Sequence, residues 1–264
     1  MYDFDLIRPK TLAEALEALK DEDAQALSGG QTLIPTLKAR LAMPAALVCL
    51  SGLEEISGLS RDDAGRLCIG AATTHATVAR EAASVFPALA ALAGGIGDAA
   101  VRTRGTIGGS VANNDPSACF PAAVLASGGE IVTPTRSITA DDFFTGLFET
   151  VLEEGEIITE IRFPVPVRAA YAKFEQPASR FALVGVFVAQ FDDGVRVAVT
   201  GASGDGVFRW EAAEAALSTE FSVLALNGLA APDADRMLSD PHGSAEYRAH
   251  LVTVMTRRAA ALAG

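Results

Sequence analysis

Two glycine-rich stretches carry most of the groups in this chain that are suited to holding a small molecule. The first, Leu27 to Leu41, reads LSGGQTLIPTLKARL. A short apolar run ends there in Gly29-Gly30, and Thr32 stands as an N-cap candidate before a helical pattern. The second, Gly105 to Pro121, reads GTIGGSVANNDPSACFP. Without a Cβ, Gly108 and Gly109 can take positive φ and let a ligand lie against peptide N–H groups, which makes the stretch read as a backbone-lined phosphate cradle. Thr106, Ser110, Asn113 and Asn114 add polar groups without adding charge. The same residue types also build a Gly-Asn turn between two strands, and one such stretch alone does not separate the two readings. A second stretch of similar composition favours a shared ligand.

No other constellation in the chain offers comparable chemistry. His75, His242 and His250 stand apart from any carboxylate or cysteine at ligand spacing, and they read as ordinary surface or core histidines. Cys49, Cys68 and Cys119 are far apart and odd in number, so neither a disulfide framework nor a C-x-x-C metal or iron–sulfur site is expected. The segment GGIGDAA matches G-x-G-x-x-A at Gly95, Gly97 and Ala100. A dinucleotide fingerprint needs a strand immediately before it, however, and ALAALA is a helix former. A helix C-cap with a left-handed glycine is expected instead.

The elements that must position the two stretches are legible in outline. A strand over Phe4 to Ile7 leads to a helix with Thr11-x-x-Glu14 as a capping box and Leu12, Ala15, Leu16 and Leu19 on one face. A strand at Ala26 to Ser28 delivers the first glycine turn, a helix follows over Leu33 to Leu41, and Leu47 to Leu50 returns as a strand. These make a small parallel or mixed lobe ending near Gly52. The second lobe opens with a strand over Leu67 to Ala71, a Thr73-Thr74 cap and a helix over His75 to Glu81, then a helix from Pro87 to about Ala93. After the cradle come a helix over Pro121 to Ser127 and strands over Glu130 to Thr133 and Ile157 to Phe163. Pro164-Val165-Pro166 then marks a boundary. Beyond it, Asp192-Asp193-Gly194 joins the β-rich runs Phe181–Phe191 and Val195–Ala202 as a hairpin. Helical spacing recurs over Trp210 to Leu217 and over Ala245 to Leu262, the latter with Tyr247, Leu251, Val254 and Met255 on the expected buried face.

The chain has 264 residues, half of them hydrophobic, which suits two folded domains rather than disorder. No apolar run approaches the roughly 20 residues that span a bilayer. The opening MYDFDLIRPK lacks the basic and apolar regions of a secretory signal, so a cytoplasmic address is expected. A net charge of −12 makes nucleic acid a poor partner; the anionic surface is better suited to facing other subunits.

SGGQTLIP followed by TIGGSVANNDP resembles the paired FAD signatures of the medium, flavoprotein subunit of carbon monoxide dehydrogenase and its molybdenum hydroxylase relatives; the xanthine dehydrogenase flavin domain is similar. The likeness continues in order through DFDLIRPKTLAEAL, EIITEIRFPVP, YAKFEQPASRFALVGV and AEYRAHLVTVMTRRA. It implies an α+β fold: a two-lobed FAD-binding domain of the vanillyl-alcohol-oxidase type over 1–165, with lobes of about 1–53 and 54–165, then a C-terminal domain of antiparallel sheet and helices over 166–264. It implies that Ser28, Gly29, Gly30, Gln31, Thr32 and Leu33 form the first FAD turn and Thr106, Ile107, Gly108, Gly109 and Ser110 the second. Ile96 and Ile158 become apolar walls, and Lys173 a basic donor favouring electron-rich flavin near N1 and O2.

Two positions depart from the family pattern. Cys119 stands where an aspartate is usual, and Phe181 where close relatives have tyrosine. Loss of a carboxylate that holds ribityl hydroxyls would remove a bond worth about 1.5–3 kcal/mol. The implied role is electron transfer from molybdenum through iron–sulfur clusters to flavin and on to an external acceptor. Substrate chemistry then lies on a large molybdenum-cofactor subunit and the clusters on a small one, with no catalytic residue on this chain. A self-sufficient FAD-dependent reductase or oxidase of the same fold, and a flavin-free assembly subunit, are the alternatives.

Overall fold

The first lobe of the computed structural model, which describes residues 1–264, is a three-stranded parallel sheet with two helices. In chain order it runs β1 (Asp5–Ile7), α1 (Leu12–Ala18), β2 (Ala24–Leu27), α2 (Leu33–Lys38) and β3 (Ala46–Cys49), with strand order β1-β3-β2. Thr11 caps α1 as its spacing predicts, accepting from the Glu14 N–H. The Glu14 carboxylate reaches back to the Lys10 N–H at 2.7 Å, one residue short of a reciprocal box. Ala15 and Leu19 pack with Val48, Leu50, Leu53 and Ile56 to form the lobe's own core. The expected Thr32 cap is not made: Thr32 already has helical φ and ψ, and its hydroxyl makes no cap bond. Helix α2 also stops short of Leu41, because Arg40 takes a φ of 59°.

The second lobe places helices on one face of an antiparallel sheet. Its strands are β4 (Leu59–Arg61) and β5 (Leu67–Gly70), and four helices follow: α3 (His75–Glu81), α4 (Pro87–Gly94), α5 (Ala99–Arg102) and α6 (Ile107–Asn113). After α7 (Phe120–Ala126) come β6 (Glu130–Val132), β7 (Ser137–Thr139), α8 (Ala140–Phe143), the hairpin β8 (Phe144–Gly146) and β9 (Glu149–Thr150), and β10 (Glu160–Phe163). The sheet order is β4-β5-β10-β6-β7. Period-two alternation lays Leu59, Ile69, Ile161, Ile131 and Ile138 in one cross-strand row facing the core. The opposite row carries Ser60, Cys68, Arg162 and Glu130, where Arg66 pairs with Glu130 at 2.9 Å.

Three expectations change here. The second glycine stretch is not a turn between two strands: Ile107–Asn113 is helix α6, capped by Thr106, whose hydroxyl accepts from the Gly109 N–H at 3.3 Å. Helix α4 does precede GGIGDAA, but Gly95 is not left-handed, and the positive φ of 50° belongs to Gly97. Strand β10 begins at Glu160 rather than Ile157. Ile157 instead enters the first lobe's core while Ile158 enters the second's, so adjacent residues tie the two lobes together.

The C-terminal part is a four-stranded antiparallel sheet, β11 (Arg168–Glu175), β12 (Ala182–Phe191), β13 (Gly194–Thr200) and β14 (Phe208–Arg209), followed by α9 (Glu211–Thr219) and α10 (Ala245–Ala263). The expected hairpin forms, with Phe191 paired to Gly194, so that the turn is Asp192-Asp193 alone and Gly194 starts β13. Strand β12 is buried on both faces. Phe187 and Ala189 join the second lobe's core, and Val184, Val186 and Val188 pack in a separate core with α10. The buried face of α10 keeps Leu251 and Met255, with Val254 partly buried against the same core, but Tyr247 is exposed and Arg248 and Val252 are buried instead. Arg248 is held by the carbonyls of Leu183 and Gly201 at 2.8 and 2.6 Å and by the Asp240 carboxylate at 2.7 Å.

Two predictions follow from these contacts. Asn114 has a φ of 41° and donates its side-chain amide to the carbonyls of Gly146 and Glu149, both at 2.9 Å. Asn114→Ala strands two acceptors and forces alanine into the left-handed region, so it is expected to cost roughly 2–4 kcal/mol. Asn114→Gly should recover about 1 kcal/mol of that loss, the backbone part. Urea unfolding of both variants measures it, and equal losses would exclude a backbone contribution.

The second concerns Glu156, which receives two bonds from Arg136, at 2.9 and 2.6 Å, and one from the Glu153 N–H. These bonds, the Arg136 guanidinium first, hold its carboxyl down to about 2 from an ordinary 4.5. A carboxylate with a depressed folded pKa stabilises the fold above the ordinary value, and that contribution is lost as pH falls from about 5 through about 2. Glu156→Gln should therefore lower stability at pH 7 and flatten its decline across that window. Chemical denaturation at several pH values tests both effects.

Candidate functional site

The two glycine stretches meet where the lobes meet. The Ser28 and Thr106 hydroxyls lie 2.8 Å apart. A Cβ on Gly29 would stand 2.2 Å from the Arg104 carbonyl oxygen and 2.6 Å from the Gly105 Cα. On Gly108 it would stand 2.5 Å from the Ala71 Cβ, and on Gly105 2.6 Å from the His75 Nε2. Glycine is required at Gly29 and Gly108 because backbones approach closely, and at Gly105 because the His75 ring does. Positive φ is not the reason expected for Gly108 and Gly109, since among the glycines of the two pairs only Gly30, at 70°, has it. Gly109 differs from Gly108 in facing open space, with only the Thr106 hydroxyl at 3.0 Å and the Ser28 Cβ at 3.9 Å near its missing Cβ.

Above this joint lies a cleft of about 1120 Å³. Ser28, Gly29, Gly30, Gln31, Thr32 and Leu33 line it from the first lobe, and Ile96, Thr106, Gly108, Gly109, Ser110, Cys119 and Ile158 line it from the second. Lys173 and Phe181 complete it from β11 and the turn after it. Ile107 is the exception and corrects the expected set. Its side chain is fully buried in the core, and its N–H donates to the Thr73 carbonyl at 3.0 Å. Helical geometry turns Ile107 inward, while Gly109 and Ser110 reach the cleft.

The polar groups divide into those that are engaged and those that are free. The N–H groups of Gly29, Gly30, Gln31 and Thr32 donate to no protein acceptor, which leaves a run of uncharged donors facing a concave wall. Lys173 differs from the expected free donor. Its ammonium bonds the carbonyls of Gly95 and Arg180 at 2.8 and 3.0 Å and pairs with Glu175 at 3.3 Å, so it clamps the Gln176–Phe181 turn. Phe181 lies 54% exposed at the mouth. Cys119 is buried, and burial pushes its thiol up; beside it the Tyr171 hydroxyl is sealed from solvent against that thiol. Asn113 lines the cleft, whereas Asn114 is taken up by the β8–β9 hairpin.

Among the lining residues that sequence reasoning missed, three bear on the site's chemistry or shape. Asp115 faces the cleft, and burial raises its carboxyl although the Ser117 N–H partly opposes the shift. The Asp-Pro signal was present, but it reads equally well as turn chemistry. Phe148 is there through a φ of 58° that no motif announces. His75 is there because α3 packs behind Gly105.

A cleft with neutral N–H donors at its centre and apolar walls at Ile96, Ile158 and Phe181 fits a long ligand with a diphosphate at its middle and aromatic rings at its ends. The class so defined is a flavin-binding α+β protein. Residues 2–166 match the family described as the FAD binding domain in molybdopterin dehydrogenase, and the chain belongs to that family, as an oxidoreductase flavoprotein subunit. It is 34% identical to the carbon monoxide dehydrogenase medium chain of Afipia carboxidovorans, with 97% of this chain and 95% of that one aligned. It is also 34% identical to the nicotine 6-hydroxylase medium subunit of Paenarthrobacter nicotinovorans, over the same shares. Among solved structures, reconstituted CO dehydrogenase from Oligotropha carboxidovorans superposes with a TM-score of 0.90 at 31% identity, covering 99% of this chain and 98% of that one. These likenesses bear out the α+β FAD-binding fold followed by a sheet-and-helix part.

The geometry separates the two central glycines. Gly109→Val should place its side chain in the cleft and abolish flavin uptake while leaving the far-UV dichroism unchanged. Gly108→Val should drive into Ala71 and lower stability by about 1–3 kcal/mol or more. Visible absorbance after FAD loading, with thermal melts of both variants, tests this; full flavin uptake by the folded Gly109 variant would remove α6 from the site.

Proposed function

We propose that this chain is the FAD-carrying electron-transfer subunit of a molybdenum hydroxylase complex, taking electrons from clusters on a small iron–sulfur subunit. A large subunit with the molybdenum cofactor carries out the substrate chemistry, and an external acceptor takes the electrons onward. The observation that carries the reading is the run of unengaged N–H groups from Gly29 to Thr32, set beside Thr106, Gly109 and Ser110 across the lobe joint. The relatives' names add support, since a medium chain and a medium subunit belong to assemblies. Residues 1–165 carry the cofactor as lobes of about 1–53 and 54–165, and 166–264 brace it. No helix is long and apolar enough to cross a membrane, and the cytoplasmic address read from the sequence is kept.

Each part of the cleft has a task in this reading. The Ser28–Leu33 turn and the Thr106–Ser110 segment bind the pyrophosphate through uncharged donors, which orient it without a counter-ion. Ile96 and Ile158 exclude water from the ring systems. Phe181 covers the cleft mouth with an aromatic face and adds no hydroxyl. Lys173 fixes the turn that carries Phe181, and its positive charge on the cleft wall would favour an electron-rich flavin. Cys119 leaves the ribityl chain without the carboxylate common in the family. Bound FAD supplies the ability to exchange electrons singly or in pairs, and the protein supplies position.

The isolated chain should therefore not oxidise a carbon substrate, whereas its flavin should be reduced once the partner subunits are present with theirs. Anaerobic stopped-flow absorbance tests this, with the isolated chain and the reconstituted complex each mixed with aldehydes, purines, aromatic heterocycles and carbon monoxide. Bleaching by the isolated chain near a typical enzyme turnover of roughly 10 per second would replace the relay with a self-sufficient flavoenzyme.

A further inference from the structure

One polar side chain on the cleft wall has no task in the fold. His75 lines the cleft and is 5% exposed. Its backbone N–H donates to the Gly105 carbonyl at 2.9 Å, which fixes the start of α3 against the entry to the second glycine stretch. The ring lies 5.2 Å from that of Phe120, and its Nε2 edge fills the space that a Cβ on Gly105 would need. This seat is apolar and would suit a phenyl ring equally well. The chain sets an imidazole there instead, and neither nitrogen finds a protein partner: Nδ1 is sealed from solvent without one, and Nε2 makes no hydrogen bond either.

We propose that His75 is a direct FAD-binding residue whose Nε2–H donates to the pyrophosphate, an assignment that rests on the FAD reading above. The location supports the pyrophosphate rather than the rings. Gly105 and Thr106 lead straight into α6, and Thr106 is the residue that meets Ser28 of the first stretch. The tautomer follows from burial. Desolvation first, and the Arg102 charge second, lower the imidazole pKa to about 4, so the ring is neutral and carries a single proton. A proton on Nδ1 would be a buried donor with nothing to meet, whereas a lone pair is less costly to leave there. The proton therefore sits on Nε2, at the edge beside Gly105. A neutral donor matches the rest of the joint, where hydroxyls and backbone N–H groups are the other polar groups offered to the ligand.

The test uses the full chain with histidine labelled in nitrogen-15. With three histidines in the sequence, and His242 and His250 exposed in the C-terminal part, long-range proton–nitrogen correlation spectra resolve the ring of His75. Titration with FAD should shift its ring nitrogens and slow solvent exchange of Nε2–H. ADP, which carries the diphosphate, should do the same, and riboflavin, which carries none, should not. In parallel, His75→Phe should weaken FAD binding by at least about tenfold, the low end for a hydrogen bond to a charged group, and His75→Gln should recover part of that loss. FAD binding with the His75 signals unmoved, a shift produced by riboflavin but not ADP, or undiminished affinity in a folded His75→Phe protein would each overturn the assignment and leave the FAD reading standing. Failure of the parent chain to bind FAD or ADP would overturn both. Should His75→Phe not fold, the spectra of the parent chain decide alone.

Discussion

The structure depends on one close approach, that of the Gly29 backbone to Arg104 and Gly105. At this distance no side chain fits between the lobes, so the first turn and the start of α6 become parts of one wall. The Ser28–Thr106 hydroxyl contact closes the seam from the cleft side. A joint of this kind gains little area, and its value lies in position, because it fixes two sets of backbone donors relative to each other before any ligand arrives. Preorganised donors avoid an ordering cost on binding that flexible loops would incur.

Other contacts hold the joint in place from behind. Ile157 and Ile158 are adjacent in the chain yet enter the cores of different lobes, so a shift of one lobe against the other would uncover one of them. The C-terminal sheet braces the opposite wall. Thr200 lies 2.8 and 2.7 Å from the carbonyls of Pro116 and Ala118, and the Gly201 N–H donates to Pro116. That sheet therefore holds the turn that brings Asp115 and Cys119 to the cleft. Phe187 and Ala189 complete the brace by joining the second lobe's core, which makes β12 apolar on both faces.

The local rules read well from the sequence, and the tertiary ones did not. Thr11, Pro87 and the Asp192-Asp193 turn lie where their own chemistry puts them, because caps and hairpins are decided within a few residues. Both glycine stretches reach the cleft as composition suggests. Positive φ was the wrong reason for Gly108, and nothing in the sequence supplied the reason for Gly29, since a close approach depends on residues far away: Gly29 answers to Arg104, and Gly108 to Ala71. Strands β4 and β11 escaped notice for a related reason. β4 is three residues long, and β11 carries Arg168, Lys173 and Glu175 at its ends, so neither shows a clean alternation. In α10 the expected stripe held at Leu251, Val254 and Met255 but not at Tyr247, and it missed Arg248, whose burial is made favourable by the carbonyls of Leu183 and Gly201, because no periodicity encodes such acceptors. Asn114 looked like a ligand donor until the β8–β9 hairpin supplied it with two carbonyls.

The net charge of −12 sets a problem that the cleft answers in an unexpected way. A chain this acidic repels an anionic ligand at long range, and a cluster of lysines would be the obvious remedy. The basic group that the family pattern suggests, Lys173, is instead bound to two carbonyls and a carboxylate. What remains at the joint is neutral: the N–H groups from Gly29 to Thr32, two hydroxyls, and an imidazole kept uncharged by burial. Neutral donors act over hydrogen-bond distance and are little affected by dissolved salt, whereas exposed ion pairs lose strength beyond a Debye length of about 8 Å at physiological ionic strength. Binding then depends on geometry, which is what the glycine joint controls. The proposed electron-relay role would gain from this arrangement, because a cofactor held by shape and fixed dipoles would stay in register when its own charge changed.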